Sequence, residues 1–593
     1  MSGTALSLRA IGLTRVAIGA FQGLALYLIY LAYDAEVWPA TDGLVFAPLL
    51  LIALFIPLLV SQALGTLRLR TLAIWAAVAT VIVGGLGVYD IWHAWPVDWR
   101  GGNPPVSRPH VLPSPHLIIA LVMGLFIGQS LVTGGDLDRK FVADYTTHFD
   151  VAWKIAVQGA LAAAFTGAFW GLLRLGAALF ELVNIDFFVE LLQERWFAIP
   201  ATTLAVSVAA HLTDVRTDIV RGIRTLGLSL LSWLLPLMVL IASGFLATLV
   251  FTGVQPLWDT QFATTLLLIA FGALVVLLNA AYQDGHAERA TPRILRYPGS
   301  LAAFVLVPLA ALAGYALFLR VEQYGWTATR IYASVCALVA AFYAVGYAFA
   351  AIRSEPWLKR IERCNFYGAL LTLAVLLALF SPIADPYRIS VASQVARLES
   401  GVVMPEQFDF ANLRWEGGRY GQAALERLKA TADGPRAENV REAASRALIA
   451  TDRSARRGDP EIARANIDVH PAGETLPPTF LTQDWNTRAA PACVRGVRMA
   501  SCDAWSMDLD ADGTEEVIVL DQSLIHVFQL TDQMVWAQVG NWGLPPGCAA
   551  FSNEMTAGRF TTAPSEPSRW PDLEISGQRF RLRETAPMPG CPG

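Results

Sequence analysis

Leu44-Val-Phe-Ala-Pro-Leu-Leu-Leu-Ile-Ala-Leu-Phe-Ile-Pro-Leu-Leu-Val-Ser-Gln-Ala-Leu-Gly-Thr66 carries no charged side chain. A helix of roughly 20 apolar residues crosses about 30 Å of hydrocarbon. This run is long enough to do so, and its two prolines are tolerated in membrane helices. Ten further runs read the same way, near 12–33, 71–89, 116–133, 155–180, 197–212, 226–251, 262–282, 300–319, 328–352 and 364–381. The sixth in chain order, 197–212, is short and polar at its ends (Thr202, Thr203, His211). The first has an apolar core too long for a cleavable signal peptide, and no small-residue cleavage site follows Tyr33.

The composition agrees. Of 593 residues, 54% are hydrophobic and 16% charged, with a mean hydropathy of +0.45. Soluble domains carry about 25% charged residues. A soluble enzyme, a disordered chain and a nucleic-acid binder are excluded. The net charge of -5, from 44 basic and 49 acidic residues, leaves no polyanion-binding excess.

Cytoplasmic loops of membrane proteins are enriched in Lys and Arg. With eleven spans, one side collects Arg9, Arg15, Arg68, Arg70, Arg139, Lys140, Lys154, Arg216, Arg221, Arg224, Arg289, Arg293, Arg296, Arg353, Lys359, Arg360 and Arg363. The other collects only Arg100, Arg108, Arg195, Arg320 and Arg330. The amino terminus is therefore expected in the cytoplasm and the carboxyl terminus outside. The expected fold class is an all-α polytopic membrane domain over 1–384, followed by a small periplasmic α+β region.

From Asp385 the hydropathy collapses. Residues 385–455 read as a helical juxtamembrane segment, with apolar residues at helical spacing in Ser393–Ser400, Arg419–Ala430 and Ala437–Ala450. Residues 456–593 read as β-containing, with runs at Glu516–Leu520, Leu524–Leu530, Met534–Val539 and Leu573–Leu582. A small antiparallel sheet is expected. Residues 385–593 hold 28 acidic and 21 basic side chains, a balance that disfavours docking on anionic lipid. Four cysteines lie here: Cys493, Cys502, Cys548 and Cys591. An oxidising exterior allows disulfides. Four cysteines have three pairings. Local closure favours Cys493–Cys502 with Cys548–Cys591, and free thiols are the alternative.

The sharpest polar motif is Asp508-Leu-Asp510-Ala-Asp512-Gly513-Thr514-Glu515-Glu516. Calcium takes six to eight oxygens. Asp508, Asp510 and Asp512 can curl around one ion, Gly513 permits the turn, and the Thr514 carbonyl and Glu516 carboxylate can complete the shell. Position 12 is Val519 where an EF-hand needs glutamate, and a strand follows instead of a helix. The pattern looks like the single calcium loop of integrin-type propeller blades, in one copy. The plain alternative is an acidic Asx-turn without an ion. Any calcium is expected to be structural, since no nucleophile–base pair accompanies it.

Inside the spans the ionisable residues are few. Arg174 is able to snorkel, and His211 near Asp214 reads as structural. Gln22, Gln62, Gln129, Gln158 and Asn279 read as helix glue. The loop Asp136–Lys154 offers His148, Asp150 and Lys154, which either serve acid–base work or begin an interfacial helix anchored by Trp153.

Several phrases in order resemble one family: His148-Phe-Asp150-x-x-Trp153-Lys154, Phe165-Thr-Gly-x-Phe-Trp170, His211-Leu-Thr-Asp214, Pro256-Leu-Trp258-x-Thr260, Tyr324-x-Trp326-Thr-x-x-Arg330-Ile331, Arg397-Leu, Phe408-Asp409, Leu413-Arg414 and Gly418-Arg419-Tyr420-Gly421. They resemble the bacterial inner-membrane family designated domain of unknown function four-one-five-three, from about residue 140 to 430. The resemblance implies a multi-span inner-membrane location and brings no reaction and no catalytic residue. Three functions compete. The leading one is a non-enzymatic membrane protein whose periplasmic domain binds calcium, a partner protein or envelope material. The second is a transporter or channel for a neutral or lipidic substrate. The third is a lipid-linked sugar transferase using Asp34, Glu36 and Asp42, whose loop is short for that task.

Overall fold

The computed structural model describes residues 8–94, 111–215, 217–255, 263–285, 292–352, 357–405, 407–431, 433, 436–449, 466–471, 474–483, 485, 490–491, 493–494, 501–510, 512–521, 524–531, 535–544, 549–560, 573–575 and 578–580. The chain divides into two compact units, residues 1–448 and 449–593.

In the first unit, eleven described helices are long and apolar enough to cross a membrane. They are α1 (Leu8–Asp34), α2 (Gly43–Ala63), α3 (Leu69–Ala94), α4 (Pro115–Asp138), α5 (Tyr145–Glu181), then after a short α6 (Phe187–Gln193), α7 (Arg195–Val215) and α8 (Thr217–Thr252), and finally α9 (Ala263–Tyr282), α10 (Arg293–Tyr324), α11 (Ala328–Ile352) and α12 (Ile361–Leu379). Each apolar run of the sequence coincides with one of them to within three residues at either end, or is contained in a longer helix. The chain is a multi-pass membrane protein. Capping sets the start of two of them. Asp42 caps α2 by accepting from the Leu44 amide, and Ser114 caps α4 with Pro115 in the first turn.

The doubtful sixth run is α7, and its polar face has a packing reason. Thr203, Ser207 and His211 recur every four residues and lie against Gly23, Gly19 and Gly12 of α1. Small residues let two membrane helices approach closely. A Cβ at Gly23 would stand 2.7 Å from Pro200 Cα of α7, so α1 has no room for a larger residue there.

Four more helices close this unit: α13 (Pro386–Glu399), α14 (Phe410–Glu416), α15 (Gly418–Thr431) and α16 (Ala437–Ile449). They share a core of Val391, Val395, Leu398, Phe410, Leu413, Leu425, Leu428, Val440 and Ala444. They also join the membrane helices. Asp385, fully buried, caps α13 through the Tyr387 and Arg388 amides and accepts from the Tyr89 hydroxyl at 2.6 Å. Arg419 stacks on Trp92 and donates to its carbonyl. Chain that looks soluble by hydropathy thus packs against the spans through α13 and α15, with α16 on the core they share.

The second unit holds a five-stranded sheet in the order β1 (Ile467–Val469), β2 (Cys502–Met507), β3 (Glu516–Asp521), β4 (Leu524–Leu530), β5 (Trp536–Gly543). β2 to β5 pair antiparallel, but β1 lies parallel to β2, so the sheet is mixed where an antiparallel one was expected. A parallel pair needs a long crossover, which sequence alternation does not reveal. One face packs Val517, Val519 and Phe528 against Phe480 and Trp485. The other packs Trp505, Ile518 and Ile525 against Met555. Small helices α17 (Pro478–Thr482) and α18 (Ala549–Thr556) supply Phe480 and Met555. β6 (Leu573–Ile575) and β7 (Gln578–Phe580) form a separate hairpin, so the run expected over 573–582 is two short strands. Cys493 and Cys502 form a disulfide. Cys548 and Cys591 lie outside the described residues, and Met534 does too.

Candidate functional site

The acidic motif is the connection between β2 and β3. The turn is held by its own side chains. Asp508 accepts from the Asp512 and Gly513 amides at 3.2 and 3.0 Å, and Asp510 accepts from the Asp512 amide at 3.2 Å. Asp512 Oδ1 accepts from the Thr514 amide at 2.7 Å. Gly513 has φ +88°, the left-handed region in which glycine pays no Cβ penalty. Glu516, at the start of β3, is only 3% exposed. Its Oε2 accepts from the Leu509 amide at 2.8 Å, and its Oε1 is buried with no hydrogen-bond partner.

Carboxylate oxygens of Asp508, Asp510 and Glu516 lie within 4.8 Å of one another. These are hard oxygen donors of the kind calcium takes. Of the five motif residues, the structure therefore gathers three. Asp512 spends an oxygen on the turn, and Thr514 is placed beside it.

The other sequence candidates do not gather. His148, Asp150 and Lys154 all begin α5, but each faces a different neighbour. His148 packs on Phe366 with ring centres 5.9 Å apart. Asp150 pairs with Arg224 of α8 at 2.6 Å, and Lys154 with Asp214 of α7 at 2.9 Å. No acid–base pair results. Asp214 also pairs with Arg15 of α1 at 2.9 Å. Arg15, 1% exposed, further donates to the Ser61 and Leu64 carbonyls that end α2. Sequence reading used Arg15 only as a positive charge at a loop. Its position one turn inside an apolar run was the available signal.

A second polar group, which the sequence places in an outer loop from Tyr89 to Pro115, lies instead on the last turns of α3. Asp90 and His93, each 3% exposed, lie at the end of α3 beside Asp385. Asp90 accepts from the Ser114 amide and hydroxyl at 2.7 Å. His93 Nδ1 meets the Tyr89 carbonyl at 2.9 Å, and its ring lies 4.8 Å from that of Tyr387. Burial pushes the Tyr387 hydroxyl above its usual range, helped by the two nearby carboxylates. These groups cap helices and join α13 and α15 to α3. The visible signal was Asp385-Pro386, a helix-start pair.

No curated protein and no solved structure matches the chain. The sequence profile described as "Domain of unknown function (DUF4153)" matches residues 20–428, which run from α1 through all the spans into α15. That match covers most of the chain, and the protein belongs to this family.

Proposed function

We propose that this protein is a bacterial inner-membrane protein with a cytoplasmic amino terminus, and that its second unit is a periplasmic binding domain organised by one calcium ion. One observation carries the calcium reading. Glu516 Oε1 is buried without a partner, in reach of the Asp508 and Asp510 carboxylates. An unpaired buried carboxylate oxygen costs stability, and three converging carboxylates repel one another unless a cation stands between them. Asp512 and the Thr514 carbonyl complete the shell after small rotations. The Lys and Arg distribution supports the orientation, and the Cys493–Cys502 disulfide suits an oxidising compartment. The role is to bind a partner protein or envelope material rather than to catalyse.

The test is calcium titration of the purified full chain after EDTA treatment. One ion should bind, and at a hundred times Kd the unit holding it should gain about 2.7 kcal/mol. Asp510→Ala should abolish both effects. No heat of binding and no stabilisation in the wild type would sink the calcium reading.

A further inference from the structure

Three buried polar atoms without a hydrogen-bond partner lie near the end of the bundle where α2 finishes. Arg15 Nη1 is buried without a partner, in a side chain 1% exposed. Ser61 Oγ is also buried without a partner, although the carbonyl of Ser61 accepts from Arg15 Nε at 2.9 Å. His211 Nδ1 is the third such atom. Its ring abuts Gly12, one turn along α1 from Arg15, and it sits one turn along α7 from Asp214, the partner of Arg15. Asp214 Oδ1 receives Lys154 at 2.9 Å and Gln158 at 3.3 Å. Two permanent cations therefore share one carboxylate, which leaves one positive charge uncompensated. All three orphan atoms can donate a hydrogen bond, and Lys154 reaches the cluster from its partly exposed rim. Donors plus excess positive charge are what an oxyanion requires. A buried arginine nitrogen and a buried hydroxyl left unbonded each cost stability, and a bound oxyanion would recover it.

We propose that Arg15, Ser61, Lys154 and His211 form a binding site for a phosphate group, supplied either as a phospholipid headgroup from the adjacent leaflet or as free phosphate. The discriminating variant is Ser61→Ala. Its hydroxyl has no hydrogen-bond partner, so ligand-free stability should stay at or rise above the wild-type value, whereas phosphate affinity should fall about tenfold through loss of one bond to a charged group. Lys154→Gln should also weaken binding, by removing the surplus charge.

The full chain is purified in a maltoside detergent, which carries no phosphate, and its melting temperature is followed against inorganic phosphate. A parallel series adds phosphatidylglycerol to the micelles. A saturable rise with inorganic phosphate, lost in Ser61→Ala, establishes the site with free phosphate as ligand. A rise only with phosphatidylglycerol, again lost in Ser61→Ala, establishes it with the lipid headgroup. No rise in either series, or a rise that survives in Ser61→Ala, overturns the proposal.

Discussion

Gln22 shows how one side chain repairs a backbone that proline has broken. Pro57 has no amide hydrogen, so the Ala53 carbonyl four residues earlier loses its helical partner. Gln22 of α1, 2% exposed, donates to Ala53 and Leu54 carbonyls at 3.1 and 2.9 Å. Gln22→Leu should cost about 1–3 kcal/mol, read as a lower melting temperature of the purified protein. Adding Pro57→Ala should recover part of the loss, because the helix regains its own bond. An unchanged melting temperature in Gln22→Leu would mean that the carbonyls find another partner. The sequence showed Gln22 as glue and Pro57 as a proline tolerated within a span, but not that one answers the other, since 35 positions of chain separate them. His526 of β4 makes a different residue-scale case. Burial holds its pKa below the ordinary imidazole value, and Gln538 lies 3.0 Å from its Nδ1. The folded state therefore favours the neutral ring. Its contribution is complete above the unfolded value near 6.5 and is lost as pH falls through the folded value, at up to about 1.4 kcal/mol per pH unit. The protection factors of the β4 amides, which are exchange rates corrected for the intrinsic slowing in acid, should fall on acidification below about pH 6.5. His526→Gln should remove that fall; equal acid sensitivity in the variant would assign it to another group.

Between elements, hydrogen bonds close a ring that no single helix contains. Asn279 of α9 donates to Tyr347 of α11 at 2.7 Å, Tyr347 donates to Asn365 of α12 at 2.6 Å, and Asn365 donates back to Asn279 at 2.6 Å. Asn365 also donates to Tyr145 of α5 at 3.2 Å, so four helices meet there. Hydrogen bonds between membrane helices contribute about 0.6 kcal/mol on average and up to about 1.7 kcal/mol. Asn279→Leu and Asn365→Leu should each lower stability by about 1–2 kcal/mol, since either change leaves buried partners unsatisfied. Their combination should cost less than the sum, because the second change removes groups the first has already orphaned. Strict additivity in the cycle would show that the ring is not a unit. Elements differed in how far the sequence disclosed them. Spans announce themselves through length and hydropathy alone. β3 and β4 did so too, through Val517–Leu520 and Ile525–Phe528, which are buried on both faces. β2 did not, because Cys502-Asp-Ala-Trp-Ser-Met507 mixes polar and apolar residues on both faces and is stabilised by its neighbours. β1 is three residues long and gains its place only through parallel pairing. The acidic loop was legible as a motif, whereas the burial of Glu516, which turns it into a converging site, came only with the fold.

At the scale of the whole molecule, an odd number of spans decides what faces what. Eleven described helices are of spanning length; if each crosses once, the two ends of the membrane region lie on opposite sides, and the proposed orientation follows from the Lys and Arg bias. That proposal rests on sequence, because each loop adds an independent charge count. The polar tethers Tyr89–Asp385 and Arg419–Trp92, by contrast, join residues roughly 300 positions apart, which no local pattern encodes. Those tethers give the topology a second reading: α13 to α15 pack on the end of α3, so Asp385 and the start of α4 at Ser114 must share one side of the bilayer. The arrangement is testable in intact bacterial cells with single-cysteine variants and a membrane-impermeant thiol reagent. The chosen sites are exposed loop positions, with the native cysteines replaced. Glu36 and Val402 should label from outside, whereas Arg139 and Leu69 should label only after the cells are opened. The opposite pattern at all four would invert the proposed orientation and place the second unit, with its disulfide and acidic loop, in the cytoplasm. A mixed pattern would remove a span, with α7 the first to question. The two failures are distinguishable because inversion exchanges every loop, whereas loss of α7 preserves Glu36, Leu69 and Arg139 and reverses only Val402.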